Sequence, residues 1–141
     1  MSRIYWDTML FIYWLEDNPQ FAKRVNAIRL RMQERNDQLL TGTFTFGEVL
    51  AGVYRQGKPA LADKTKHALQ GVVSEIVPFT LDTADRYAQI RGSHGMPAPD
   101  AIHLACAAEA GTDLFMTNDR TLVGKIIPGI QFIASLDTQF F

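Results

Sequence analysis

The sequence predicts an α/β fold with a mostly parallel central sheet of about five strands. Two observations carry that prediction. Short apolar runs alternate along the chain with longer stretches of helical periodicity, the order that puts crossover helices between parallel strands. The composition, 47% apolar and 21% charged, is that of an ordinary globular protein. At 141 residues the chain points to one domain, residues 1–141, and a domain near that size buries roughly 68–70% of its unfolded surface.

The elements follow in order. Ile4–Trp6 is a short apolar strand, and Thr8 is placed to cap a helix from Met9 to about Glu16, which stops before Asn18-Pro19. From Gln20 to Arg35 the residues Phe21, Val25, Ile28 and Met32 recur at helical spacing. A second strand is expected over Gln38–Gly42. Thr45 and Glu48 then have the T-x-x-E spacing of a capping box ahead of a helix over Val49–Gln56, which breaks at Gly57-Lys58-Pro59. A further helix runs from Ala60 to about Val73, and a third strand covers Glu75–Phe79. Asp82 is placed to cap a helix through Arg91, and Gly92–Pro99 reads as a loop. Ala98-Pro99-Asp100 opens the most apolar helix, with proline in its first turn and Gly111 at its end. Asp113–Thr117 is the fourth strand, Asp119 to about Val123 a short helix, and Ile130–Ala134 the fifth strand.

Bulk properties exclude several classes. A formal net charge of −1 rules out a general polyanion binder, so nucleic-acid contact requires a local basic patch. The single cysteine, Cys106, cannot form an internal disulfide and reads as a small core residue in a reducing compartment. Arg3, Asp7, Glu16 and Asp17 interrupt any secretory pattern, and no run approaches the ~20 apolar residues of a membrane helix. A cytoplasmic location with no membrane partner is expected. The P-loop motif is absent, and His67 and His94 lack zinc-like spacing. A haloacid-dehalogenase-type phosphatase would want a second Asp two residues after the first, where Met9 stands.

Among the 15 acidic residues, Asp7, Glu48, Asp100 and Asp119 stand out. Each falls at the expected start of a helix, and three directly follow an apolar strand. Helix N-termini in a parallel α/β sheet lie at the strand carboxyl edge, where ligands of open sheets bind. The four carboxylates therefore point to one region. Unpaired carboxylates in proximity raise one another's pKa, and a divalent cation relieves that repulsion. Mg²⁺ takes one or two protein carboxylates, keeps several waters and recruits phosphate oxygens. Each acid also has a structural reading, as a turn or cap residue or a first-turn acid favoured by the helix dipole.

In sequence order, these residues resemble a PIN domain, and more narrowly the VapC-type toxin ribonucleases of bacterial and archaeal toxin–antitoxin pairs. Ile4-Tyr5-Trp6-Asp7-Thr8 looks like the family's first strand with its leading Asp. Thr45-x-x-Glu48 looks like its second acidic motif, and Pro99-Asp100-Ala101-Ile102-His103-Leu104-Ala105 resembles its Asp-Ala-x-x-x-Ala helix start. Leu114-Phe115-Met116-Thr117-Asn118-Asp119 resembles the final strand and its acid. The resemblance covers essentially the whole chain. The sequence departs at Met9, where the family often has a small polar residue, and in its low net charge.

The resemblance implies a three-layer α/β/α sandwich and Mg²⁺- or Mn²⁺-dependent cleavage of RNA. It also implies a homodimer and a cognate small antitoxin. Asp7 and Asp100 are expected as the core metal ligands. Asp119 follows them, and Glu48 ranks last because a capping box would occupy it. Thr8, Thr117, Asn118 and His103 are candidates to orient those ligands, although His103 reads first as a hydrogen-bonded core histidine. Arg91, Arg120 and Lys125 are the expected RNA contacts. Arg24, Arg31 and Arg35 on one helix flank read first as a solvated face. Phe11, Tyr13, Trp14 and Leu15 crowd the first helix, so part of it is core and the excess could be a dimer or antitoxin surface. The alternatives are a PIN scaffold that binds RNA or protein without cutting, and a metal-dependent DNA nuclease, since carboxylates and a metal do not read the 2′-hydroxyl.

Overall fold

The computed structural model describes residues 1–138; residues 139–141 of the expected domain lie outside the described residues. The strands are β1 (Arg3–Trp6), β2 (Gln38–Gly42), β3 (Glu75–Val77), β4 (Thr112–Thr117) and β5 (Ile130–Ser135). The helices are α1 (Thr8–Leu15), α2 (Ala22–Arg35), α3 (Thr43–Arg55), α4 (Ala62–Val72), α5 (Leu81–His94) and α6 (Ala98–Ala110). Short 3-10 turns cover Pro59–Leu61 and Arg120–Leu122. The five strands form one sheet in the order β3-β2-β1-β4-β5, and every pairing is parallel.

Alternation along the strands makes three layers. Tyr5 is level with Leu40 and Phe115, while Ile4 is level with Leu39 and Leu114. Successive side chains of a strand point to opposite faces. Ile4, Trp6, Leu39 and Met116 therefore share one face, packed against Leu10 and Phe11 of α1, Val25 and Ile28 of α2, Val49 of α3 and Leu69 of α4. Tyr5, Leu40, Val77 and Phe115 share the other, under Ile90 of α5 and the alanine-rich face of α6. Tyr5 stacks on Phe115 with ring centroids 5.3 Å apart. Each large apolar side chain so buried contributes on the order of 1.5–3 kcal/mol. Cys106 is one of these core residues, as expected, and burial pushes its thiol up to about 11.

Three helix N-termini are capped differently from expectation, two of them because another side chain reaches the free amides first. Asp7 caps α1 by accepting from the Met9 amide, and Thr8 is the first helical residue. Thr80 caps α5 in a reciprocal pair with Thr83, leaving Asp82 in the first turn, and α5 continues to His94. The largest difference concerns Thr45 and Glu48. α3 begins at Thr43, with Gly42 as its cap residue and no side-chain cap bond, so both lie inside the helix and form no capping box. β3 is shorter than expected, ending at Val77.

Candidate active site

β1 lies between β2 and β4, where the strand order reverses. A crevice therefore opens beyond the carboxyl ends of β1 and β4, since the chain leaves these strands toward opposite sides. Asp7 follows β1 directly, and its amide donates to Met116 O at 3.2 Å. Its carboxylate accepts from the Met9 amide at 3.2 Å and from the Thr117 hydroxyl at 2.6 Å. The Thr117 oxygen in turn accepts the Asp119 amide at 3.0 Å, tying the ends of β1 and β4 together. Burial raises the Asp7 carboxyl above its ordinary 3.8. The Thr117 bond, His103 and the Met9 and Leu10 amides offset only part of that rise.

Glu48 is the sixth residue of α3 and meets α1 and α6. Its Oε1 accepts from the Thr8 hydroxyl at 2.5 Å and from His103 Nε2 at 2.9 Å. Burial alone would raise this carboxyl, but the bonds from His103 and Thr8 outweigh it and hold the group below its ordinary 4.5. Behind it, Thr45 packs against Thr8 and Thr41, and the Thr41 hydroxyl donates to Trp6 O at 3.0 Å. Losing the capping box frees Glu48 for this network.

Asp100 stands in the first turn of α6. Burial raises its carboxyl, and the charges of Asp119 and Glu48 raise it further, against a lowering from His103. The repulsion expected of converging acids is therefore present at Asp100. Asp119 caps the turn Arg120–Leu122, and its Oδ1 accepts from the Thr121 amide and hydroxyl.

Asp7, Glu48, Asp100 and His103 line one open cleft of about 260 Å³. Asp119 is outside that lining, although its charge reaches Asp100. The cleft also holds Arg55, which the sequence reading missed. The available signal was spacing: Arg55 falls two helical turns after Glu48, on the same side of α3. Among the described residues, no group of three or more His, Cys, Asp or Glu side chains is disposed to hold a metal ion. A hard cation held by one or two carboxylates with water in the remaining positions fits this all-oxygen donor set and its mutual repulsion.

The remaining candidates fall in different places. Thr8 and Thr117 each hold a cleft carboxylate, whereas the Asn118 side-chain amide donates to the Tyr13 hydroxyl at 3.0 Å. Arg120 pairs with Asp137, Arg91 lies 6.0 Å from the Tyr87 ring centroid, and Lys125 is half-buried after the turn following Asp119. None of the three lines the cleft. Arg24 binds the carbonyls of Leu136 and Thr138, Arg31 pairs with Glu34, and Arg35 pairs with Asp37. Arg31 and Arg35 are exposed, as a solvated face would have them, while Arg24 ties α2 to the segment after β5. Of the crowded first-helix residues, Phe11 and Tyr13 are core, while Leu15 with Ile12 lines a groove of about 390 Å³ between α1, α3 and the start of α4.

The family model of the PIN domain matches residues 4–124, a span that contains all four acids. The chain belongs to the PIN domain family. Solved structures share the fold of this PIN domain. One is VapBC2 from Rickettsia felis bound to a DNA fragment from its promoter (TM-score 0.75, 15% identity, covering 94% of this chain and 98% of that one). Another is DNA-bound VapBC from Salmonella typhimurium (TM-score 0.74, 18% identity, 96% and 99%). A third is a toxin–antitoxin complex from Klebsiella pneumoniae (TM-score 0.65, 21% identity, 90% and 94%). No curated protein matches the sequence.

Proposed function

We propose that this PIN domain is a Mg²⁺- or Mn²⁺-dependent endoribonuclease and the toxin of a toxin–antitoxin pair. The observation that carries the reading is one cleft, at the reversal of strand order, lined by Asp7, Glu48 and Asp100. Asp7 and Asp100 hold the ion, and Glu48 and Asp119 complete its surroundings directly or through water. Once bound, the ion supplies charge for phosphoryl oxygens and a water of lowered pKa. Thr117 fixes the Asp7 carboxylate through Oδ2, and Arg55 offers a guanidinium fork to a substrate phosphate. All four family acids are retained, which favours cleavage over a scaffold that only binds.

The partner reading has two supports. The structural relatives include toxin–antitoxin complexes, and the apolar groove beside α1 shares Glu48 and Arg55 with the acidic cleft. An antitoxin segment in that groove would cover the cleft. Among the described residues no helix is long and apolar enough to cross a membrane, and the proposal places the protein in the cytoplasm, acting as a homodimer that arrests growth.

The test is cleavage of end-labelled single-stranded RNA and of DNA of the same sequence. RNA is cut with Mg²⁺, cutting stops with excess EDTA and returns when Mg²⁺ is restored, and DNA stays intact. RNA left whole under both Mg²⁺ and Mn²⁺, or cutting indifferent to EDTA, would sink the proposal. DNA cut in preference to RNA would replace it with a DNA nuclease.

A further inference from the structure

His103 is 4% exposed, and both of its ring nitrogens are engaged, although it lies outside the family's acidic set. Nε2 faces Glu48 Oε1 at 2.9 Å and Thr8 Oγ1 at 3.0 Å; Nδ1 faces the Tyr5 hydroxyl at 3.0 Å. The donors follow from the partners. An ionised carboxylate only accepts, so Nε2 carries the hydrogen toward Glu48. The Thr8 hydroxyl spends its one hydrogen on the same Oε1. In a neutral ring Nδ1 is then the acceptor, and the Tyr5 hydroxyl donates to it.

Tyr5 is itself built into place. It is fully buried and sits on the central strand of the sheet, stacked on Phe115. A Cβ at Gly42 would stand 2.9 Å from its hydroxyl, so only glycine leaves room there. The chain of donors runs from the sheet, through α6, to α3. It ends on one oxygen of Glu48 and leaves the other, Oε2, with no hydrogen-bond partner among the described residues.

Resting on the nuclease reading, the geometry points to His103 as a positioning residue. Its Nε2–H holds Glu48 by Oε1 so that Oε2 serves the cleft, and the Tyr5 hydroxyl fixes the tautomer that makes this bond. A role in packing alone would need neither the tautomer nor the hydroxyl. Partners of this kind typically carry about 10–100-fold in activity or metal affinity.

The test combines nuclear magnetic resonance with kinetics. The chain has three histidines, so the long-range ¹H–¹⁵N signals of His103 can be assigned through its variants. In the wild type Nε2 is protonated and Nδ1 bare; in Tyr5→Phe, which removes one oxygen, the two tautomers mix. In RNA cleavage, Tyr5→Phe lowers kcat about tenfold with KM unchanged. His103→Leu lowers it more, and His103→Gln, which keeps a side-chain N–H, recovers most of the loss. In a Glu48→Gln background, His103→Leu adds less than about twofold, because its effect passes through Glu48. A wild-type ring protonated at Nδ1 and bare at Nε2 would overturn the assignment. So would a Tyr5→Phe protein with wild-type kcat, or a His103→Leu loss that simply multiplies that of Glu48→Gln. If the wild type cuts no RNA, the nuclease reading fails by itself. Mn²⁺ affinity measured by calorimetry then decides the positioning role: about tenfold weaker in Tyr5→Phe supports it, and unchanged affinity overturns it.

Discussion

Asp7 and Glu48 line the same cleft, yet their carboxyls move in opposite directions. Asp7 sits at the end of β1 and, with a hydroxyl and backbone amides as donors, still stands above its ordinary 3.8 because burial outweighs them. Glu48 is less deeply placed, on the flank of α3, and receives the Thr8 hydroxyl and His103 Nε2 on one oxygen, which brings it below 4.5. The difference teaches that converging acids need not share a state. Asp7 and Asp100 resist ionisation and gain most from a cation, whereas Glu48 is held ionised by the protein itself.

Substitution of the raised pair should have the largest effect. Asp7→Asn and Asp100→Asn are each expected to lower Mg²⁺-dependent RNA cleavage by more than about 100-fold, beyond what outer partners typically carry. Single-turnover rates on folded protein check this, and near-wild-type rates would erase the distinction between the two acids and their neighbours. Glu48→Gln is expected to be milder, about 10–100-fold, because its place is in a hydrogen-bonded network. A loss equal to that of Asp7→Asn would show that Glu48 binds the ion directly. Smaller again is Arg55→Ala, which should weaken RNA binding and reduce the slope of log affinity against log salt by about one unit. Arg120→Ala is the control: paired with Asp137 and outside the cleft lining, it should change that slope by less than half as much.

The pH dependence separates the same two groups. A raised carboxyl contributes stability that is fully present below its unfolded value and lost as pH rises through the folded one. Asp7 and Asp100 therefore stabilise the metal-free protein only in acid, and weigh against it at neutral pH. Glu48 has the opposite sign: its contribution is present above 4.5 and lost as pH falls through its lowered folded value. The Tm difference between Asp7→Asn and wild type should thus be largest near pH 7 and close as pH falls toward 3.8. A difference that widens in acid would reverse the sign assigned to Asp7.

The sheet was legible in the sequence because its central strands β1, β2 and β4 are largely buried on both faces and read as apolar runs. β2 falls where expected, over Gln38–Gly42, and the end of α6 is marked by Gly111 at φ 73°, a left-handed conformation that suits glycine. Asp7, Asp100 and Asp119 were legible because strand-end and first-turn positions are local. The start of α3 was not, since T-x-x-E spacing occurs both in a capping box and one turn inside a helix, and only the packing of Thr45 on Thr8 and Thr41 decides between them. Arg55 was marked only by its spacing from Glu48 along α3, whereas the Tyr5–His103–Glu48 chain depends on which helices meet across the sheet, and no local pattern carries that.

The central claim is that the fold gathers carboxylates at a cost in stability which a divalent cation removes. Thermal unfolding of wild type and Asp7→Asn at pH 7, with and without Mg²⁺, tests it most directly. Without metal the variant should melt higher, by about 2–4 °C for each kcal/mol of burial cost removed, and Mg²⁺ should raise the wild type while leaving the variant nearly unmoved. A variant that melts lower than wild type without metal, and gains as much from Mg²⁺, would contradict the account.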